Sequence, residues 1–186
     1  NQAGAKIASN GSNIFIGSYA GYDTDDATVN AINNVYIGDS AGRYIDDGQN
    51  NVAVGYNAML SVDSDGQNAL RNTALGARAL AGLTTGDDNV GIGQSAGGGS
   101  TTISQSVFIG QEAGDGISTG NANIAVGYGA MGGSATTGNW NIAIGYDAGD
   151  ALTSGKDNVF MGRDAGGATT DVDNAVIIGY GAGAAN

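Results

Sequence analysis

The sequence predicts an all-β protein, a parallel β-solenoid of about ten coils with seventeen residues in each. One phrase recurs through the whole chain: a β-branched residue, any residue, an apolar residue, glycine, two further residues and alanine. Most repeats are seventeen residues long, which is too short for a strand, a helix and two turns. It suffices for one solenoid turn, whose strands stack in parallel about 4.8 Å apart. The anchor glycines of the phrase are Gly17, Gly38, Gly55, Gly76, Gly93, Gly110, Gly127, Gly145, Gly162 and Gly179.

Each repeat supplies one short strand directly before its anchor glycine. The residues three and one before the anchor, such as Val107 and Ile109, are two apart and therefore share a face of the strand. Their β-branched side chains favour the extended conformation. We predict that this pair faces the inside of the coil and that the residue between them points outward.

Two turns complete the predicted coil. Alanine stands three residues after every anchor, which indicates a tight inner corner. A second turn carries glycine at positions 86, 120, 138 and 155, where a positive φ angle is expected. Between the turns we predict the single inward residue of a second, weaker strand. The residues at this position are Ile45, Val62, Leu83, Ile117 and Leu152.

Asparagine precedes the main strand in eight coils, and two interpretations remain open. Stacked amides can form a hydrogen-bonded ladder along the rod. Alternatively, asparagine is an ordinary turn residue. The residues are Asn13, Asn34, Asn51, Asn72, Asn89, Asn123, Asn141 and Asn158.

The middle residue of the main strand carries no charge or amide in any repeat. A strand that is apolar on both faces is buried on both faces, so the predicted outer face needs a partner. Self-association of the chain is the economical solution, and a second domain outside this sequence is the alternative. The predicted interface residues are Phe15, Tyr36, Phe108, Phe160 and Ile177.

Composition excludes several functions. The chain has no Cys and no His, so it lacks a thiol nucleophile, a histidine base and the usual zinc ligands. A net charge of −12 disfavours nucleic acid and anionic membranes as partners. The Asp63–Gly66 stretch hints at a calcium loop, but its twelfth position is Ala74 and not Glu. We therefore expect no enzyme, no cofactor and no metal.

The phrase seen in NNVAVGYNA from Asn50 and NIAVGYGA from Asn123 resembles head repeats of trimeric autotransporter adhesins, the YadA-like head. Related repeats occur in trimeric fibres of tailed phages and of predatory bacteria. The resemblance covers essentially all coils and implies a left-handed parallel β-roll, a homotrimer and adhesion to a host surface. The usual head coil is nearer fourteen residues, so the seventeen-residue coils favour the fibre versions.

On this basis residues 1–186 form a single repeat domain, expected to be a piece of a longer extracellular fibre protein of a bacterial surface or phage virion. The expected function is adhesion to a host-surface ligand, a glycan or a protein, and the alternative is a spacer that carries a separate tip domain. Irregular coils have spare backbone for recognition. The candidate ligand-binding residues of those coils are Trp140, Tyr19, Tyr22, Asp23, Asp25, Asp63 and Asp65.

Four tyrosines directly follow an anchor glycine and are predicted to face solvent. They are interpreted mainly as a cover for the shoulder of the coil, with ligand contact as the alternative. These residues are Tyr56, Tyr128, Tyr146 and Tyr180.

Overall fold

A computed structural model describes residues 2–4, 11–22, 31–61, 67–133 and 135–183. Its strands each contain three residues and pair in chain order into one ten-stranded parallel sheet. The chain is therefore a β-solenoid of about nine turns, as the repeat predicts. The strands are β1 (Ile14–Ile16), β2 (Val35–Ile37), β3 (Val52–Val54), β4 (Thr73–Leu75), β5 (Val90–Ile92), β6 (Val107–Ile109), β7 (Ile124–Val126), β8 (Ile142–Ile144), β9 (Val159–Met161) and β10 (Val176–Ile178).

The strands stack with equivalent repeat positions side by side. Val107 pairs with Val90 in the seventeen-residue spacing, and Ile142 pairs with Ile124 although the coil between them has one extra residue. The longer coils before β2 and β4 preserve the same register. The extra residues therefore lie in the connections. Parts of these two connections, residues 23–30 and 62–66, lie outside the described residues.

The predicted direction of the strand faces is wrong. The middle residues point into the coil: Tyr36, Phe108 and Phe160 are fully buried within the single chain. Phe15 and Ile177, in the end coils, pack against the same core. The flanking residues form the outer face of the sheet, where Ile109 and Ile144 remain more than a third exposed. Of the five residues assigned to a trimer interface, Tyr36, Phe108 and Phe160 are thus buried core residues, and Phe15 and Ile177 point the same way but are only partly buried.

The physical reason is the narrow interior of the coil, which admits one side chain from each strand. The size of that side chain is matched by the residue six positions later. Large middle residues are followed by glycine, as in Tyr36 with Gly42, and small ones by a long side chain, as in Ala53 with Met59. A methyl group added at Gly42 would overlap the Tyr36 ring. The matched pairs with a small strand residue are Ala53 with Met59, Ala74 with Leu80 and Ala125 with Met131.

Where both matched positions of a coil hold small residues, side chains from the neighbouring coils fill the space. Gly91 and Gly97 belong to one coil, and the Leu80 side chain from the preceding coil reaches both of them. The Phe108 ring from the following coil also covers Gly97, where an added methyl group would lie 2.6 Å from the ring. The interior is therefore filled along the rod as well as across each coil, at the close packing of protein cores.

The anchor glycines are required by two constraints. Their φ angles lie between 123° and 141°, a region that side-chain-bearing residues rarely adopt. In addition, a Cβ atom at Gly93 would lie 2.5 Å from the carbonyl oxygen of Gly110 in the next coil. Only a residue without a side chain permits both this backbone angle and this stacking distance.

The predicted reason for glycine in the second turn, a positive φ angle, is wrong. None of Gly86, Gly120, Gly138 and Gly155 has a positive φ angle. Instead, a Cβ atom at each would collide with a backbone carbonyl oxygen of the next coil. Close stacking of coils, rather than backbone handedness, requires glycine there.

The inward residues after the corner are confirmed for four coils, and Val62 lies outside the described residues. Ile45, Leu83, Ile117 and Leu152 are buried. They do not belong to a second strand, because the described residues outside the main sheet form only isolated parallel bridges, such as Ile117 with Thr136. The second side of the coil is held by turns and single bridges.

The asparagine ladder is confirmed. The backbone N–H of Asn158 donates to the Asn141 side-chain oxygen at 3.1 Å, and that of Asn141 donates to Asn123 at 2.9 Å. The Asn141 amide nitrogen also donates to the carbonyl oxygen of Gly155 at 2.9 Å, tying the strand to the second turn. Ser106 replaces asparagine in one coil, and its hydroxyl accepts from the Asn123 backbone N–H at 3.2 Å. These buried polar groups are therefore satisfied by each other.

Truncating Phe108 tests the size matching. We expect Phe108→Ala to lower the free energy of unfolding by about 3–5 kcal/mol, because it leaves a cavity between coils. The double variant Phe108→Ala with Gly114→Met recreates the Ala53 and Met59 combination and recovers most of this loss. Urea denaturation at fixed protein concentration measures both. Gly114→Met alone should destabilise, since a side chain there overlaps the Phe108 ring. Additive effects of the two changes would contradict size matching.

Removing one amide tests the ladder. Asn141→Ala leaves the Asn158 backbone N–H and the Gly155 carbonyl oxygen without their partners, so we expect a loss of about 1–3 kcal/mol for each buried group. Gln94→Ala, at an exposed position, is the control and should change stability by less than about 0.5 kcal/mol. Equal thermal denaturation midpoints for the two variants would show that the ladder contributes nothing.

Candidate ligand-binding groove

Grooves lie on the flank of the rod that follows the strands, and two of them bear on function. This flank is formed by the residues one to six positions after each anchor glycine. One groove, of about 380 Å³, is lined by Tyr56, Leu60 and Arg78 together with small residues. The second groove, of about 300 Å³, is called the acidic groove. It is lined by Glu112, Asp115, Tyr128, Gly129, Gly132, Gly133, Tyr146, Asp147 and Asp150.

The wall of the acidic groove is a stacked pair of aromatic rings. Tyr128 and Tyr146 directly follow the anchor glycines of adjacent coils, so the parallel register places them one above the other. Their ring centroids are 5.0 Å apart and the ring planes differ by 15°. Both rings remain 42–51% exposed. Each ring therefore covers part of one face of the other, and the rest of the two rings is open to solvent.

The floor of the groove is backbone. Gly129 has a φ angle of 61°, and an added Cβ atom would collide with the Asp147 carboxylate. A Cβ atom at Gly133 would lie 2.8 Å from the carbonyl oxygen of Asp150. Glycine at these positions therefore keeps the space between the carboxylates and the backbone open.

Four carboxylates surround this space, and three have pKa values above the ordinary range. Burial is the main cause of the raised pKa of Asp147, and the negative charges of Asp150, Asp164 and Glu112 add to it. Burial also raises the pKa of Asp115, with Glu112 contributing. The pKa of Asp150 is raised by burial and by Asp164. Ionisation of these three carboxyl groups is therefore less favourable in the folded protein than in water.

The negative charges of the groove also act on the tyrosines of its aromatic wall. The Glu112 charge raises the pKa of the Tyr128 hydroxyl, and Tyr146 and Asp147 act in the same direction. None of the described residues that line the groove is Lys or Arg. A ligand with positive charge and a flat apolar face complements such a surface.

Among the predicted ligand-binding residues that the structure describes, Trp140 lies far from Tyr19 and Tyr22. Tyr19 and Tyr22 meet edge to face at 5.4 Å, and the Arg43 guanidinium lies 4.8 Å from the Tyr19 ring. Their ring faces are thus engaged by the chain itself. Trp140 is 58% exposed but precedes β8, about seven coils or ~34 Å from the Tyr19 coil. Asp23, Asp25, Asp63 and Asp65 lie outside the described residues.

The sequence signal for the acidic groove is the tyrosine after the anchor glycine. Tyr56, Tyr128, Tyr146 and Tyr180 are all 42–71% exposed, which confirms their predicted solvent-facing position. The sequence alone does not show that these tyrosines lie beside the carboxylates two and five residues after an anchor. Parallel stacking of coils converts these separate repeat positions into one surface.

Comparison of the chain with protein-family models, with curated proteins and with solved structures gave no match. Within the described residues, no group of three or more His, Cys, Asp or Glu side chains has an arrangement that could hold a metal ion. The described part of the chain also contains no helix of the length and hydrophobicity that crossing a membrane requires.

Neutralising Asp147 tests the electrostatics of the groove. Because its pKa is raised in the folded protein, ionised Asp147 destabilises the fold; this cost is absent below its ordinary pKa of 3.8 and grows as pH rises. We expect Asp147→Asn to raise the Tm at pH 7 by about 1–3 °C and to lose that gain in acid.

The matched control is Asp157→Asn. Asp157 has a similar left-handed backbone, with a φ angle of 59° against 48° for Asp147, but lies outside the groove. Any benefit of asparagine in that conformation is independent of pH and appears in both variants. Parallel Tm–pH curves for the two variants would contradict mutual repulsion and burial in the groove.

Proposed function

We propose that this chain is an adhesive or receptor-binding segment of a trimeric surface or tail fibre and binds glycans on a host surface. The observation that carries the proposal is the outer face of the sheet. Each strand places its first and third residues there, and Thr73 is the only polar residue among them. The outer face is thus a continuous apolar stripe along the rod.

The exposure of this stripe supports self-association. Ile92, Ile109 and Ile144 lie in the middle of the rod and are still 36–39% exposed, although each is flanked by paired strands. Monomeric soluble proteins rarely expose a contiguous apolar patch of more than a few hundred Å². Parallel sheets are ordinarily covered on both faces. A second and third copy of the same stripe supply that cover.

The stripe itself places no charge in the way of association between copies of the chain. The outer positions of the ten strands carry no charged residue, so the net charge of −12 lies elsewhere on each chain. The resemblance to trimeric adhesin heads favours three copies around one axis. The acidic groove lies on the flank that follows the strands, so each rod contributes one copy of it to the fibre.

A charge on the outer face tests the assembly. Ile109→Asp would bury a carboxylate between chains at a cost of several kcal/mol, so we expect the trimer to dissociate to a folded monomer. Light scattering coupled to size-exclusion chromatography should give three times the chain mass for the parent and one chain mass for the variant. Circular dichroism checks that the fold is retained.

Gln111→Asp is the matched control. It adds the same charge two residues later, at an exposed side chain beyond the strand, and should leave the trimer intact. A parent protein that is monomeric at micromolar concentration would overturn the trimeric assembly. A trimer that binds neither a glycan array nor host cells would be a spacer instead.

A further inference from the structure

The aromatic wall of the acidic groove is suited to stacking. Tyr128 and Tyr146 present two nearly parallel rings at 5.0 Å, one for each coil. Tyrosine has an apolar ring for the C–H face of a sugar and a polar tip that stays in water. In contrast to Tyr19 and Tyr22, neither ring is covered by a guanidinium of the described chain.

The groove has the dimensions of a short linear ligand. Its lining residues come from three successive coils, which span about 10 Å at the usual strand spacing. Gly129, Gly132 and Gly133 contribute backbone and no side chains to its floor. A short chain of pyranose rings fits a groove of this length, which has one exposed tyrosine in each of two adjacent coils.

The carboxylates define the charge of that ligand. Asp115, Asp147 and Asp150 are partly buried, and neighbouring acidic groups contribute to their raised pKa values. An ammonium group bound beside these carboxylates offsets the repulsion between them and stabilises their ionised form. The same oxygen atoms accept hydrogen bonds from hydroxyl groups. The groove therefore favours positive charge, hydroxyl donors and a flat apolar ring face in one molecule.

We propose that the acidic groove binds an oligosaccharide of amino sugars with free ammonium groups, stacked on Tyr128 and Tyr146. The proposal rests on the adhesive function proposed above and specifies its ligand class. Neutral or N-acetylated sugars lack the charge, and sulfated or carboxylated polysaccharides are repelled by the groove.

The probe is a β-1,4-linked glucosamine tetramer, compared with its fully N-acetylated form by isothermal titration calorimetry of the assembled protein. We expect the glucosamine tetramer to bind and added salt to weaken it, with the acetylated tetramer at least about tenfold weaker. Tyr146→Ala should weaken binding up to about tenfold through the lost stacking. The double variant Asp147→Asn with Asp150→Asn should abolish the preference for the free amine.

Two control variants are matched by position. Tyr56→Ala removes the tyrosine after another anchor glycine, outside the acidic groove, and Asp157→Asn removes a carboxylate elsewhere. Both should bind the glucosamine tetramer as the parent does. Equal binding of the two tetramers, or unchanged binding by the Tyr146 and Asp147/Asp150 variants, would overturn the proposal. A tetra-arginine peptide that binds as tightly and with the same dependence on Tyr146 would assign the groove to a basic peptide instead.

The acidic groove lies within one chain, so its failure is distinguishable from failure of the proposed assembly. The monomeric Ile109→Asp variant should bind the glucosamine tetramer with the same single-site Kd as the parent. Binding of the glucosamine tetramer by a protein that never forms trimers would support the ligand class and contradict the proposed trimeric fibre. A trimer that binds host cells but not the glucosamine tetramer would overturn the ligand class alone.

Discussion

The rest of the structure depends on the close stacking of identical backbone positions from coil to coil. Adjacent coils approach so closely that a Cβ atom at Gly93 would lie 2.5 Å from the next anchor carbonyl. This distance fixes glycine at the anchors and in the second turn. It also places each Asn side chain within hydrogen-bonding distance of the coil that follows, so buried polar groups are paired along the axis. Any residue that widened one step would disturb the strand pairing, the glycine stack and the amide ladder together.

The narrow interior of each coil determines which residues lie on the outer face. Because each strand contributes a single side chain to the core, its two flanking residues, which are β-branched in most strands, are left on the outer face. The features that make the strand, alternation and β-branching, thereby create an apolar surface. The coil interior is complete within one chain, since Phe108 and Phe160 are fully covered there. Burying the outer face is then a matter of association between finished rods, not of completing a half-formed core.

The repeat, strand positions, register and inward residues of the second side follow from the sequence because each repeats at fixed spacing. The facing direction of the strands does not, because a period of two separates two faces without saying which is inside. Both faces are apolar here, so hydrophobicity cannot decide between them. The deciding signal is covariation of size within a coil, Tyr36 with Gly42 and Ala53 with Met59. The groove could not be predicted from the sequence for a different reason. Its residues occupy different repeat positions, and their proximity depends on the turn geometry.

Solenoid geometry also explains how a binding surface arises without disturbing the fold. The position after the anchor glycine points to solvent, so it accepts Tyr, Gln, Arg or Ser at little cost to the core. Placing tyrosine there in two successive coils is enough to stack the rings, because the sheet register aligns them automatically. Carboxylates two and five residues after the anchors Gly110 and Gly145 line the same flank, and nearby glycines leave room beside them. The pKa values of Asp115, Asp147 and Asp150 are raised chiefly by partial burial, and repulsion from neighbouring carboxylates adds to it. Ionised carboxylates held in this way oppose the stability of the fold, and nothing in the stacking of coils demands them at these positions.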